Sequence, residues 1–573
     1  MRKKFFLLLF LFTYTLSAQQ EKESIATEVI NVVSSYTPSL SDAFKLKDAP
    51  EIDTNNSSKK KQFYRINSKR ILSLFQPDAG AYQTPFGKNQ SFTYPNYVKI
   101  GYGSYHTPLL EAFVTQKKKE HDFNFSLFNK ASRGGIPDVH LDNNYINTKL
   151  GIGYKNQQDR HTWLANLNYQ KDRYNWYGLA SNIAFDQAVL ESIEEKQSFR
   201  HLALGGALLL ASGNLKKTDI SFHYFSDKFD SQETQVHLQS IFEFRLGKNT
   251  LLTNFNIDIL NGSFDNNFMG TEELNYGQLT FSAKATYPIS KNGFDFSIGT
   301  QLLHNSDMEK NTQKFYVYPD IQIDYSFDEN LLSIYAGANG GLTQNSYRDF
   351  AFRNPYISPS LNTSPTNRVY NIFTGVKGII SSKVSYHIKA SLRKDNNKPL
   401  FQLNPNLSDG TNTLAEGYQY GNSFNVVYDD IRTFELSGEF RTELRDNLFV
   451  GASMSFRHYT TDLQESAWNL PNFDSNLFGS YQHKKWHHKV EILLMGKRKD
   501  LAIQSDLNAI IKELKGFADV SLSTQYQLQQ NWSASFEIQN LFNQDYARFE
   551  NFNVQGFQLL VGVRYQFDLK KQM

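Results

Sequence analysis

From about Tyr97 to the C-terminus, apolar and polar residues exchange sides at every step. In the last segment Phe557, Leu559, Val561, Val563, Tyr565 and Phe567 alternate with Gly556, Gln558, Leu560, Gly562, Arg564 and Gln566. Before it, Trp532, Ala534, Phe536 and Ile538 alternate with Ser533, Ser535, Glu537 and Gln539. Val384, Tyr386, Ile388, Ala390 and Leu392 alternate with Ser385, His387, Lys389, Ser391 and Arg393. A period of two places successive side chains on opposite faces of an extended strand, and helical spacing fits none of these runs.

Connection lengths separate a closed barrel from a soluble sandwich. Short polar turns fall at Lys117–Asp122, Asn156–Asp159, Gly213–Lys216, Gly247–Asn249, Ser290–Gly293, Asp328–Asn330, Ser381–Lys383, Arg445–Asn447, His483–Lys485 and Gln529–Asn531. Between them lie longer stretches rich in Asn, Ser, Asp and Pro, such as 178–197, 345–366, 398–428 and 499–515. A strand on each side of each turn, plus one at each end, makes roughly 22, an even number with both termini on the short-turn side. The pattern predicts an all-β, antiparallel transmembrane barrel with short periplasmic turns and long extracellular loops. Closure satisfies every backbone group within the bilayer. A wet lumen hydrates the mixed charges of the polar faces: Glu435, Glu439, Arg441 and Glu443 on one strand, Lys389 and Arg393 on another, Glu243 and Arg245 on a third.

Composition sharpens this. Aromatics make up 14% of the 573 residues (46 Phe, 32 Tyr, 5 Trp), yet mean hydropathy is −0.51. Strands with one lipid face and one lumen face are both aromatic and polar. The net charge of +3 offers no basic field for nucleic acid. The absence of cysteine excludes disulfides, thiolate metal sites and a lipid-modified N-terminal cysteine. Trp176, Tyr177, Trp486, Trp532, Tyr565 and Phe567 flank turns or close strands, where amphipathic rings favour the headgroup layer. Trp163 lies nearer the middle of its segment and is left unassigned.

The N-terminus carries the address. Arg2, Lys3 and Lys4 precede an apolar core from Phe5 to Phe12 and small residues up to Ala18, the layout of an export signal over 1–18. Residues 19–96 form a short periplasmic or lumenal segment, 97–567 the barrel and 568–573 a tail. Pro50–Lys61 reads as a solvated linker, and Lys59–Lys61 as a solubilising charge run. Ile66–Phe75 reads as a short element at the lumen mouth.

Candidate chemistry is sparse. His483, His487 and His488 sit at a turn beside Lys484, Lys485 and Lys489, whose charges oppose a metal cation, so they read as a hydrated turn. Asp42, Asp48, Glu51 and Asp53 lack the spacing and glycine of a calcium loop. No hydrolase, phosphate-loop, zinc or dinucleotide fingerprint occurs, and neither an enzyme nor a cofactor is expected. Glu435 and Glu439 are four residues apart on one strand face, about 13 Å, too far for a glycosidase pair.

The stretch Asn540, Leu541, Phe542, Asn543, then Tyr546, then Gly556-Phe557 and the run ending Tyr565-Gln566-Phe567, resembles the last two strands of TonB-dependent receptors. Tyr97 to Pro108 resembles the first barrel hairpin of the same group. The resemblance implies a 22-stranded outer-membrane barrel inserted by barrel-assembly machinery. Family members carry a plug that fills the barrel and contacts TonB. Residues 19–96 offer 78 positions, about half of what a plug needs, so a shortened or missing plug is expected. Glu28, Val29, Ile30, Asn31, Val32 and Val33 resemble a TonB box; the alternative is an exposed strand or strap. The resemblance implies uptake of an unidentified bulky solute across the cell outer membrane, with outer-membrane lipid and either TonB or a surface lipoprotein as partners. The alternative is a non-transporting barrel that scaffolds a surface or assembly complex.

Overall fold

Strands of the predicted kind close on themselves. The computed structural model describes residues 96–265, 273–327, 332–381, 383–405 and 417–569. The export signal, most of segment 19–96 and the Glu28–Val33 box lie outside the described residues. A single 22-stranded antiparallel sheet runs from Asn96–Gly103 to Gln558–Phe567. These two strands pair from Asn96 opposite Phe567 to Gly103 opposite Leu560, which closes the barrel. Closure leaves no unpaired sheet edge in the bilayer. At the seam the Lys99 ammonium meets the Glu537 carboxylate, and the Arg564 guanidinium lies 3.6 Å from the centre of the Tyr97 ring.

The alternation sorts as expected. On the last strand Leu559, Val561, Val563 and Tyr565 are exposed on the outer wall, while Leu560 and Gln566 are buried on the lumen side. Ile298, Ile321, Ile372, Phe434 and Phe536 continue the outer apolar band. A continuous band of this kind on a water-facing surface would far exceed the few hundred Å² that soluble proteins expose, so lipid is its solvent. Among the described residues no helix is long and apolar enough to cross a membrane; the strands do so.

Each short turn read from the sequence that falls within the described residues joins two neighbouring strands; Asp328–Asn330 and Ser382 lie outside them. The positive φ of Gly213, Gly247 and Gly293 suits three of these reversals. Aromatic pairs gird the short-turn end: Trp486 with Tyr526 at 4.5 Å, Trp532 with Tyr565 at 4.7 Å and Trp163 with Tyr154 at 5.0 Å. Trp163, unassigned from sequence, thus belongs to this girdle.

Two expectations about the loops need correction. The stretch 398–428 is not all loop: Val384–Leu403 and Phe424–Arg445 pair far above the band, from Lys398 opposite Asp429 to Leu403 opposite Phe424. A register shift between Asp395 and Lys398 lets the two long strands continue past an irregularity. The stretch 499–515 folds as a hairpin, Arg498–Ile503 against Ala509–Leu514.

Candidate functional site: the capped mouth of the barrel

The long loops fold over the mouth into one buried cluster. Trp176 and Tyr177, expected in the headgroup layer, are 0% and 3% exposed and sit inside this cap. Position beside a strand end cannot tell a ring in lipid from one whose loop folds back over the mouth. Trp176 packs on Phe229 and Tyr418, with ring centres 5.4 and 5.3 Å apart. Tyr177 packs edge-on against Tyr356 and Phe552. Tyr356 in turn stacks on Phe552 at 3.6 Å. These rings come from the connections after the fifth, seventh, thirteenth, fifteenth and twenty-first strands.

Hydrogen bonds fix the meeting. The Tyr177 hydroxyl donates to the carbonyl of Asn553 at 2.8 Å and lies 3.2 Å from the Tyr356 hydroxyl. Asn422 donates from Nδ2 to the carbonyls of Trp176 and Gly417 at 2.9 and 2.8 Å. Asn182 donates to the Ile503 carbonyl at 2.9 Å. The connection holding Trp176 joins strands five and six, and that holding Asn422 joins fifteen and sixteen. Ten strands apart in a ring of 22, they approach from nearly opposite walls.

The helix Tyr347–Arg353 is anchored to the wall. Glu233 accepts the backbone N–H of Tyr347 at 2.6 Å and of Arg348 at 3.3 Å, and the Tyr276 hydroxyl at 2.6 Å. Ser346 caps the helix by accepting the Asp349 N–H. Asp227 accepts the Tyr347 hydroxyl at 2.7 Å and the N–H groups of Phe229 and Ser231. Burial nevertheless pushes the Asp227 carboxyl up to about 6.

The hairpin Arg498–Leu514 is tied down in the same way. Asp500 accepts the N–H of Leu403 at 2.9 Å, of Leu501 at 2.8 Å and the Asn469 amide at 2.6 Å. Burial pushes its carboxyl up to about 7. Arg498 donates to the carbonyls of Arg548 and Ala547, and Lys512 pairs with Glu550 at 2.6 Å. Asp429 accepts the N–H groups of Asp462, Leu463 and Gln464, which shapes the neighbouring loop.

Below the cap the lumen wall carries a ladder of alternating charge. Asp474 meets Arg457, whose guanidinium lies 2.9 Å from Glu435; Glu435 accepts from Arg393 at 2.7 Å. Arg393 reaches Asp395, which also pairs with Arg368 and Lys398. Glu435 and Arg393 are two of the charges the sequence placed in a wet lumen, and they are now seen to be neutralised by neighbours along the wall. Glu435 lies between two arginines. Among the described residues no group of three His, Asp or Glu side chains is arranged to hold a metal. Of the three turn histidines, His483 stacks on Tyr481 and His488 on Trp486 in the girdle, His488 also hydrogen-bonded to Thr524, while His487 lies on the opposite, lumen face of its strand.

The stretch resembling the receptor C-terminus divides between cap and wall. Asn540 to Asn543 form a turn above the strands, and Tyr546 stacks on Phe517 at 3.9 Å with its hydroxyl donating to Asp519. Tyr565 and Phe567 face outward on the closing strand.

No family model matches the chain, and no curated protein matches it by sequence. Solved structures do. The ferripyoverdine receptor of the outer membrane of Pseudomonas aeruginosa superposes with a TM-score of 0.59 at 13% identity, covering 84% of this chain and 72% of that one. The iron transporter FrpB of Neisseria meningitidis gives 0.60 at 12%, covering 84% and 83%. The ferric-catecholate import receptor Fiu of Escherichia coli K12 gives 0.59 at 10%, covering 82% and 81%. The fold is therefore that of TonB-dependent-receptor barrels of the outer membrane.

Proposed function

We propose that this protein admits a bulky solute across the outer membrane, and that the aromatic cap is its outer gate. One observation carries the reading: loops from opposite walls meet in a buried cluster over a lumen lined with paired charges. A 22-stranded cylinder without a gate would leak, so a device that closes one mouth and can part fits controlled passage. The solved barrels of this fold named above are an iron transporter and receptors for ferric chelates. A chelate-sized solute suits the same architecture. Glu28 to Val33 would be the box that engages TonB, and parting of the cap would follow ligand capture outside.

The test is uptake in cells. Deleting 28–33 should abolish accumulation of a fluorescent solute that wild-type cells import, while surface labelling of the protein stays unchanged. Unchanged accumulation removes the energised mechanism. Stoichiometric partner subunits co-purifying with a barrel that imports none of a broad solute panel would replace uptake with scaffolding.

A further inference from the structure

The outer wall carries a charge cluster that passage through the lumen does not require. On the strand His161–Asn175 the outward residues run Trp163, Ala165, Leu167, Tyr169, Lys171 and Arg173. On Lys196–Leu210 they run down through Lys196, Ser198, Arg200, Leu202 and Leu204. The register sets Tyr169 opposite Leu202, Lys171 opposite Arg200 and Arg173 opposite Ser198; Leu202 faces Tyr224 on its other side. Four cationic side chains therefore share one patch directly above two tyrosines.

The rows beside the patch bring no acid to the outer face. Ile146 and Thr148 flank Arg173 and Lys171, and Ser226 flanks Arg200. Arg173, Lys196 and Arg200 are exposed. Among the described residues none of the four forms a side-chain ion pair or hydrogen bond. In the loop above, Glu194 is engaged by Lys228. Like charges directly opposite on a sheet repel, so Lys171 and Arg200 are placed at a cost unless an anion lies between them.

Their height identifies the anion. Eight residues separate Trp163 in the lower girdle from Lys171, about 26 Å of strand at ~3.3 Å per residue. At a tilt near 40° that is roughly 20 Å of height, and Arg173 lies roughly 5 Å higher, at the top of an apolar band about 25 Å tall. Basic residues there lie level with the headgroups of the outer leaflet, where the long Lys stem can snorkel and the Arg fork can grip phosphate.

We propose that Lys171, Arg173, Lys196 and Arg200 bind the phosphate groups of an anionic glycolipid of the outer leaflet, holding one such molecule against the fifth and sixth strands. Such binding does not depend on uptake, only on the long loops lying outside the cell.

The probe is diphosphoryl lipid A, titrated into the detergent-solubilised full chain beside dephosphorylated lipid A and inorganic phosphate. The variant replaces all four with Gln (K171Q, R173Q, K196Q, R200Q). A second variant, R173Q with R200Q, changes two exposed positions alone, and heat-modifiable gel migration reports folding of both. Diphosphoryl lipid A should bind at least roughly tenfold more tightly than its dephosphorylated form, a difference of about 1.4 kcal/mol, and the quadruple variant should lose that preference. The double variant should lose part of it. Equal affinity for the two lipids, wild-type affinity in folded variants, or inorganic phosphate binding as tightly as the lipid would each overturn the assignment.

Discussion

Tyr177 and Tyr356 face each other hydroxyl to hydroxyl at 3.2 Å, their rings 5.9 Å apart and nearly perpendicular, although they belong to loops eight strands apart around the wall. Such a contact forms only if the loops bend inward over the lumen. It is the latch of the cap, and both hydroxyls are buried strongly enough to stay protonated at any physiological pH.

Removing the latch should loosen the cap and leave the barrel intact. Tyr177→Phe deletes the donor to Asn553 and should cost about 1 kcal/mol of cap stability. Tyr356→Ala also deletes the ring stacked on Phe552 and should cost about 3–5 kcal/mol. Cleavage of intact cells by external protease should speed up in that order, with heat-modifiable migration unchanged.

Cap stability should depend on pH in a defined direction. Asp500 has an ordinary value of 3.8 and is raised to about 7; Asp227 is raised to about 6. A carboxyl raised on folding means that the folded form holds the proton more tightly. The stabilisation is complete at pH values below 3.8 and is lost as pH climbs through 7. Arg498 opposes the shift of Asp500 and Glu550 adds to it. Proteolysis within 496–516 should therefore be faster at pH 8 than at pH 5, and Asp500→Asn should flatten that difference. An equal difference in the variant would assign the dependence elsewhere.

The lumen ladder should be strict about its members. Asp395→Ala leaves Arg368, Arg393 and Lys398 facing one another and should cost about 3–5 kcal/mol in urea unfolding from lipid vesicles. Lys383→Ala breaks an exposed turn pair with Asp446 and should leave the unfolding midpoint where it was.

The wall itself was legible because alternation is a direct record of two solvents. Val561 and Leu560 are neighbours in sequence, one against lipid and the other against the lumen, and turn spacing then sets the strand number. The cap was not legible, since a loop has no period to read. A signal was nevertheless present. Tyr347, Phe350, Tyr356 and Ile357 in one loop and Tyr546, Phe549 and Phe552 in another are too apolar for solvated connections, and all are buried. The charge ladder was legible only in part: Glu435 and Arg393 were placed on the polar face, but which cation meets which carboxylate depends on strand register.

Lipid as the solvent of the outer wall can be tested with one substitution. Phe536 is exposed on that wall, and Phe536→Lys should cost about 2–4 kcal/mol near the bilayer midplane. Gln525, on the lumen side of the neighbouring strand, should accept Lys with little change in the unfolding midpoint.

Single-channel conductance in planar bilayers tests the gate most directly. Three proteins are compared: the mature chain, the chain without residues 19–95, and that shortened chain carrying Tyr177→Ala, Tyr356→Ala and Phe552→Ala. A cap that closes the mouth keeps the first two silent and lets the third pass large, steady current. A shortened chain that already conducts, or a triple variant that stays silent, would contradict a loop gate over a hydrated path.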